Sequence, residues 1–319
     1  MTEISDEMRA LVRSDHGVNL ETVKTPYVGD SEALIRVEKA GICGTDLAIY
    51  RGDFEVPTPI IMGHEFSGQV VQGSDDWIGR RVTSEINITC GECDFCAAGK
   101  PNHCVDREAL GISTDGCFAE YVKVPEENLH GMSLSFETAT FVEPLAAAIR
   151  ILELTEIDEE DDVLIVGCGR LGLLILQVMR LKGVNVYVSD RDEDKLKIAS
   201  SWGAKPILLE DPPFRFDVVV DSAGSPSVLD RELDLVKPMG TVALKSTPGV
   251  PSKVDASKIP RKEITIQGSR CGPFERAIDM LESGKVEVDE LITGRFSLEN
   301  YREAFESIKI KHIFDISSM

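Results

Sequence analysis

Along residues 9–13 and 32–38, apolar side chains alternate with polar or charged ones, which is the period of a strand with one buried face. Gly29 and Asp30 predict the turn between them. The strand-rich pattern continues at 69–72 and 80–83, around Gly73 and Gly79, and returns at 111–124. Residues 134–153 change to helical spacing, with Ser135 and Glu137 near the start. From 162 onward the period switches again. Unbroken or alternating apolar runs predict strands at 162–166, 185–189, 216–220, 240–244 and 264–268. Helical runs at 173–181, 195–202 and 227–236 separate them. Such alternation predicts a parallel, doubly wound sheet. Helices at 274–281 and 298–308 and a closing strand at 311–315 complete the pattern.

The expected fold class is therefore α/β. Residues 1–150 form a β-rich first domain, 151–270 a Rossmann-type dinucleotide-binding domain, and 271–319 a segment that returns to the first. A length of 319 residues suits two cores rather than one. The formal charge of −21 argues against binding nucleic acid or anionic lipid through a general field. It leaves room for a small anionic cofactor held by backbone N–H groups. The acidic N-terminus lacks the apolar stretch of an export signal. The most apolar run, 163–181, is broken by Gly167, Gly169, Gly172 and Arg170, so no membrane span is expected. A cytoplasmic location follows as an expectation, and with it a preference for metal binding over disulfides among the eight cysteines.

Two cysteine-bearing stretches carry candidate chemistry. Cys43, His64 and Glu65 offer a thiolate, an imidazole and a carboxylate, the ligand types that zinc prefers. Thr45 places a hydroxyl two residues past the thiol, where it could relay a proton. Further on, Cys90, Cys93, Cys96 and Cys104 match a closed tetrahedral Zn²⁺ site, which has no position left for substrate. Glu143 stands inside an apolar helical face, where a carboxylate needs a partner. A metal-linked role and a solvated or capping role are both open for it.

In the second half, Gly167, Gly169 and Gly172 form a GxGxxG motif, with Arg170 and Leu171 inside it, between a predicted strand and a predicted helix. Asp190 follows 23 residues after the first glycine, at the end of the next strand. The glycines let a pyrophosphate approach the backbone at a helix N-terminus, and the acid would accept bonds from ribose hydroxyls. Asp190 would repel a 2′-phosphate and favours NAD over NADP, while Arg191 beside it could hold that phosphate. Ser222 and Lys245 fall just after strand ends, on the edge that faces a cofactor in such sheets.

These residues resemble the zinc-dependent medium-chain alcohol and polyol dehydrogenases over essentially the whole chain. The matching pieces are G-I-C-G-T-D at 41–46, G-H-E at 63–65, the four cysteines at 90–104, G-C-F-A-E-Y at 116–121, E-P-L-A at 143–146 and G-C-G-R-L-G at 167–172. The resemblance implies a GroES-like catalytic domain joined to a Rossmann domain, and two Zn²⁺ per chain. It implies catalytic-zinc ligands at Cys43 and His64, with Glu65 ligating directly and Glu143 reaching the metal through water. It also implies proton relay by Thr45, an orienting acid at Asp46, and a homodimer or homotetramer. Many members carry a relay His where this chain has Ala48. The expected reaction is hydride transfer between NAD(H) and a small alcohol or carbonyl, with a polyol, sugar or amino alcohol favoured. A non-catalytic NAD-binding structural or sensing protein on the same fold is the alternative. A zinc-finger-like nucleic-acid binder is disfavoured by the acidic charge.

Overall fold

The structure is a computed structural model and describes residues 4–246 and 250–317. The chain divides into two compact units. One comprises Met1–Glu143 with Phe274–Met319, the other Pro144–Pro273.

The first unit is β-rich. Its main sheet runs in the order Leu129–Gly131, Arg81–Ser84, Glu65–Gln72, Glu32–Gly41, Lys311–Asp315 and Ile292–Phe296, with Tyr121–Pro125 also paired to Glu32–Gly41. The long strand Glu32–Gly41 thus has Glu65–Gln72 on one side and the C-terminal strand on the other. The register sets Gly41 opposite both Glu65 and Ile313. A second sheet orders Gly17–Lys24, Glu7–Ser14 and Ile60–Ile61. Gly17–Lys24 has no counterpart among the expected elements. It is an outer strand with a single buried residue, Val18, so burial does not impose a clean alternation on it.

Two other expectations are corrected. Within 111–124 only Tyr121–Pro125 is a regular strand. The single helix expected over 134–153 is two, Phe136–Ala139 and Val142–Leu154. Pro144 explains the break: in a continuous helix its ring would meet the carbonyl of Thr140, whereas a restart at Val142 puts it in a first turn. Ser135 caps the short helix, its hydroxyl accepting from the Thr138 amide at 3.0 Å.

The second unit holds a six-stranded parallel sheet ordered Lys205–Pro206, Asn185–Ser189, Asp162–Val166, Phe216–Asp221, Val236–Leu244 and Thr265–Gly268. Its central strands carry continuous buried apolar runs, 163–166 and 218–220. Among the described residues, no helix is long and apolar enough to cross a membrane.

The core of the first unit depends on three rings. Phe314, fully buried, meets Phe118 edge-on at 5.0 Å and Phe305 at 6.0 Å. Phe314→Ala should destabilise the protein by about 3–5 kcal/mol, read as a lowered urea midpoint at unchanged slope.

Candidate functional site

A tight backbone crossing presents His64 and Glu65. Gly63 has φ +93°, and its carbonyl accepts the Cys117 amide at 3.0 Å. Gly111 and Gly116 lie so close to that carbonyl that a Cβ on either would overlap it. Residues 116–118 thereby lock 61–63, and the strand Glu65–Gln72 starts directly after His64.

Cys43 is the cap of the helix Gly44–Arg51. Asp46 in its first turn accepts the Cys43 amide through Oδ2 at 2.7 Å. Its other oxygen, Oδ1, stands 3.6 Å from His64 Nδ1. Asp46 is fully buried and His64 nearly so. At that separation the two atoms make no hydrogen bond, and each is buried without another partner. One acid thus fixes the backbone of one candidate ligand and stands close to the ring of another.

Donor atoms of Cys43, His64 and Glu65 lie within 4.8 Å of one another. Glu65 is buried, and its two oxygens have different surroundings. Oε2 accepts the ammonium of Lys311, a residue with no solvent exposure. Oε1 is buried without a hydrogen-bond partner. Gly41 makes the ion pair possible, since a side chain there would occupy the space of Lys311 Nζ. The Phe141 ring lies 5.4 Å from the same ammonium. Burial lowers the Lys311 pKa to about 8, with the charges of Cys43 and Asp46 acting to raise it. Lys311 was not among the residues expected to matter. It is 246 positions from its partner, and no local pattern announces the pair.

The other expected residues are placed as follows. Thr45 is half-buried in the first turn after Cys43. Glu143 is half-buried in the first turn of Val142–Leu154, two residues from Phe141, and is not one of the three converging donors. Cys90, Cys93, Cys96 and Cys104 form a separate four-thiol cluster. Two of its S···S separations, Cys93–Cys96 and Cys90–Cys104, are 3.5 Å. That is far beyond a disulfide and near the edge of a tetrahedron around a metal with bonds of about 2.3 Å. Amides of Cys96 and Val105 lower the Cys93 thiol to about 6, whereas desolvation and the neighbouring Cys93 push Cys96 up to about 11.

In the second unit, Gly167 (φ +97°) packs against Ala223 so closely that a Cβ would lie 2.8 Å from its backbone. Gly172 is equally tight against the Gly167 carbonyl, while a Cβ on Gly169 would meet nothing within 4 Å. The loop is therefore closed underneath and open at Gly169, which caps the helix Arg170–Lys182 containing Leu171. Ser222 Oγ donates to the Gly167 carbonyl at 2.8 Å. Asp190 accepts the Cys168 amide at 2.6 Å and the Asp192 amide at 2.9 Å, which holds it beside the loop. Arg191 is exposed, and Lys245 donates to Ser269 and the Arg270 carbonyl.

The Lys311–Glu65 pair generates a direct test. Lys311→Met leaves a buried carboxylate without its cation, at a cost of about 3–5 kcal/mol. A divalent metal at the three donors can replace the lost charge. The variant should therefore melt lower than wild type after chelation, and gain more in melting temperature on adding Zn²⁺. Equal gains in both proteins would contradict this account.

Matches to known proteins agree with this geometry. Residues 29–133 match the alcohol dehydrogenase GroES-like domain, and residues 171–283 match the zinc-binding dehydrogenase domain. An L-threonine 3-dehydrogenase of Bacillus licheniformis is 33% identical over 332 residues, covering 95% of this chain and 96% of that protein. A sorbitol dehydrogenase of Halalkalibacterium halodurans is 31% identical, covering 95% and 96%. A zinc-binding dehydrogenase from Sinorhizobium meliloti, solved bound to NADP, superposes with a TM-score of 0.90 at 31% identity, covering 98% of this chain and all of that one. With both domain types, their order and the full-length similarity in hand, the chain belongs to the zinc-dependent medium-chain dehydrogenase superfamily and is an oxidoreductase of the alcohol dehydrogenase type.

Proposed function

We propose that the protein is a zinc-dependent, NAD-linked dehydrogenase of a polyol, sugar or amino alcohol. The observation that carries this reading is the environment of Glu65, with one oxygen on Lys311 and the other buried and unpartnered among Cys43 and His64. The donor set fits zinc by chemistry and by charge. A Cys43 thiolate, Glu65 and Asp46 face one buried cation, Lys311, and a dication offsets the excess. The four-thiol cluster fits a second, structural zinc.

When bound, zinc would supply the Lewis acidity that makes an alcohol proton labile, and the nicotinamide would accept the hydride. The chain's own residues do the rest. Asp46 keeps the Cys43 backbone fixed and places a carboxylate beside the His64 ring. Lys311 holds Glu65 through Oε2, which leaves Oε1 without a protein partner. Thr45 Oγ1 takes the proton from the substrate hydroxyl and passes it on. Ala48 offers no imidazole, so this proton leaves through water or a ribose hydroxyl. Glu143 is assigned a supporting role through water rather than a direct bond. In the second unit, the amides at the start of Arg170–Lys182 would hold the pyrophosphate and Asp190 the adenosine ribose.

A polyol or amino-alcohol substrate is supported by the similarity to sorbitol and L-threonine dehydrogenases. A preference for NAD is supported by the carboxylate of Asp190, with Arg191 and the NADP-bound relative as the opposing considerations.

Two outcomes are expected. The purified protein should carry two zinc ions per chain by elemental analysis. Cys43→Ala should carry one, lose turnover and still bind NADH; normal turnover by this variant would refute the zinc mechanism. In a substrate scan with NAD and NADP, polyols and amino alcohols with NAD should give the highest kcat/KM. A clear preference for ethanol would eliminate the assigned substrate class.

A further inference from the structure

A second buried carboxyl group lies in the parallel-sheet unit and takes no part in the chemistry above. Glu232 is in the helix Leu229–Leu235, has no solvent exposure, and neither carboxylate oxygen has a hydrogen-bond partner. Burial pushes its pKa up to about 8, and the charge of Asp221 adds to the shift. At neutral pH the group is therefore a neutral acid in an apolar setting. The adjoining core includes Leu233, Leu235, Phe216 and Val219.

The charged groups around this helix are otherwise accounted for. The helix packs on Phe216–Asp221, on Val236–Leu244 and on the short helix Lys258–Lys262. On these elements Asp217 pairs with Lys237, and Lys258 pairs with Asp230 and Asp234. Arg261 pairs with Asp255, and Lys262 donates to the carbonyls of Leu233, Asp234 and Val236. Asp221 remains, itself buried and raised by desolvation.

Asp221 organises the end of the sheet next to the glycine-rich loop. Its carboxylate accepts the Ala223 amide at 3.0 Å and the Ser246 hydroxyl at 2.9 Å. Its carbonyl accepts the amides of Lys245 and Ser246. The adjoining Ser222 and Ala223 are the residues that Gly167 packs against. A charge on Glu232 would thus place a second buried anion beside the turn that supports the loop. Like charges repel, so an ionised Glu232 would oppose the contacts by which Asp221 holds this turn.

We propose that Glu232 is a proton switch for dinucleotide binding: protonated, it lets Asp221 hold the 221–224 turn under the glycine-rich loop, and ionised, it weakens the cofactor site. The proposal rests on the reading of this loop as a dinucleotide site. The linkage also has a definite sign for folding. The folded pKa is raised above the unfolded one, so stability falls as pH rises between the two and the penalty is complete above about 8.

The test is NADH titration of the full-length protein by fluorescence from pH 6.5 to 9.5, for wild type, Glu232→Gln and Glu232→Leu. Wild-type affinity should fall by about three- to tenfold through pH 8, the size expected for one added buried charge. Both variants should bind as wild type does at pH 6.5 and stay flat. Flat binding by wild type overturns the switch, as does an equal fall in Glu232→Gln. These outcomes leave the dinucleotide reading standing. Absence of NADH binding at pH 6.5 overturns that reading and the switch with it. Should both variants fold poorly, the wild-type profile and the pH dependence of its melting temperature still decide: without a fall in either between pH 6.5 and 9, the proposal is wrong.

Discussion

A lysine and a glutamate buried together, with essentially no exposure between them, set the terms for the first unit. Removing two charges from water is expensive unless geometry and further contacts compensate. Here the compensation comes from three neighbouring strands. Glu65 opens one strand, Lys311 opens another, and Gly41 on the strand between them gives up its side chain so that the two can meet. The pair is also incomplete, because one Glu65 oxygen remains unpartnered. The same constraint that ties the C-terminal strand into the sheet therefore leaves one oxygen of Glu65 without a protein partner, in a residue whose donor atom lies within 4.8 Å of those of Cys43 and His64.

Close backbone approach is the device that both units share. At Gly63, Gly111 and Gly116 it fixes the crossing that presents His64 and Glu65. At Gly167 and Gly172 it presses the loop before Arg170–Lys182 against Ser222 and Ala223. At Gly63 the Phe118 ring, and at the other four positions neighbouring backbone, occupies the volume of a missing Cβ, so each glycine is needed for space. Asp46 and Asp221 play parallel parts. Each is a buried acid that accepts a neighbouring backbone amide, Asp46 from Cys43 and Asp221 from Ala223, and thereby holds a functional segment in place.

Much of this architecture can be read from residue order because its causes are local. The alternation after residue 162 marks the parallel sheet, since its central strands carry continuous buried apolar runs, 163–166 and 218–220. Strands Asn185–Ser189 and Lys311–Asp315 fall where periodicity puts them. The four cysteines and the GxGxxG motif are legible because their chemistry depends on short, fixed spacing. Periodicity fails where little is buried, as in Gly17–Lys24, and where a single residue overrides it, as Pro144 does in the helix expected over 134–153.

The sequence by itself thus determined the fold class, the superfamily resemblance and the types of side chain available to bind metal and cofactor. Tertiary structure alone decided which of them meet. It brought Cys43, His64 and Glu65 together and left Glu143 outside that group. It delivered Lys311 to Glu65 from the far end of the chain. It also buried Glu232 beside Asp221, where an ordinary helical glutamate would have faced water. The physical reason is the same in each case. A charge or a ligand acquires its properties from what surrounds it within a few ångströms, and sequence spacing fixes that only for neighbours along the chain.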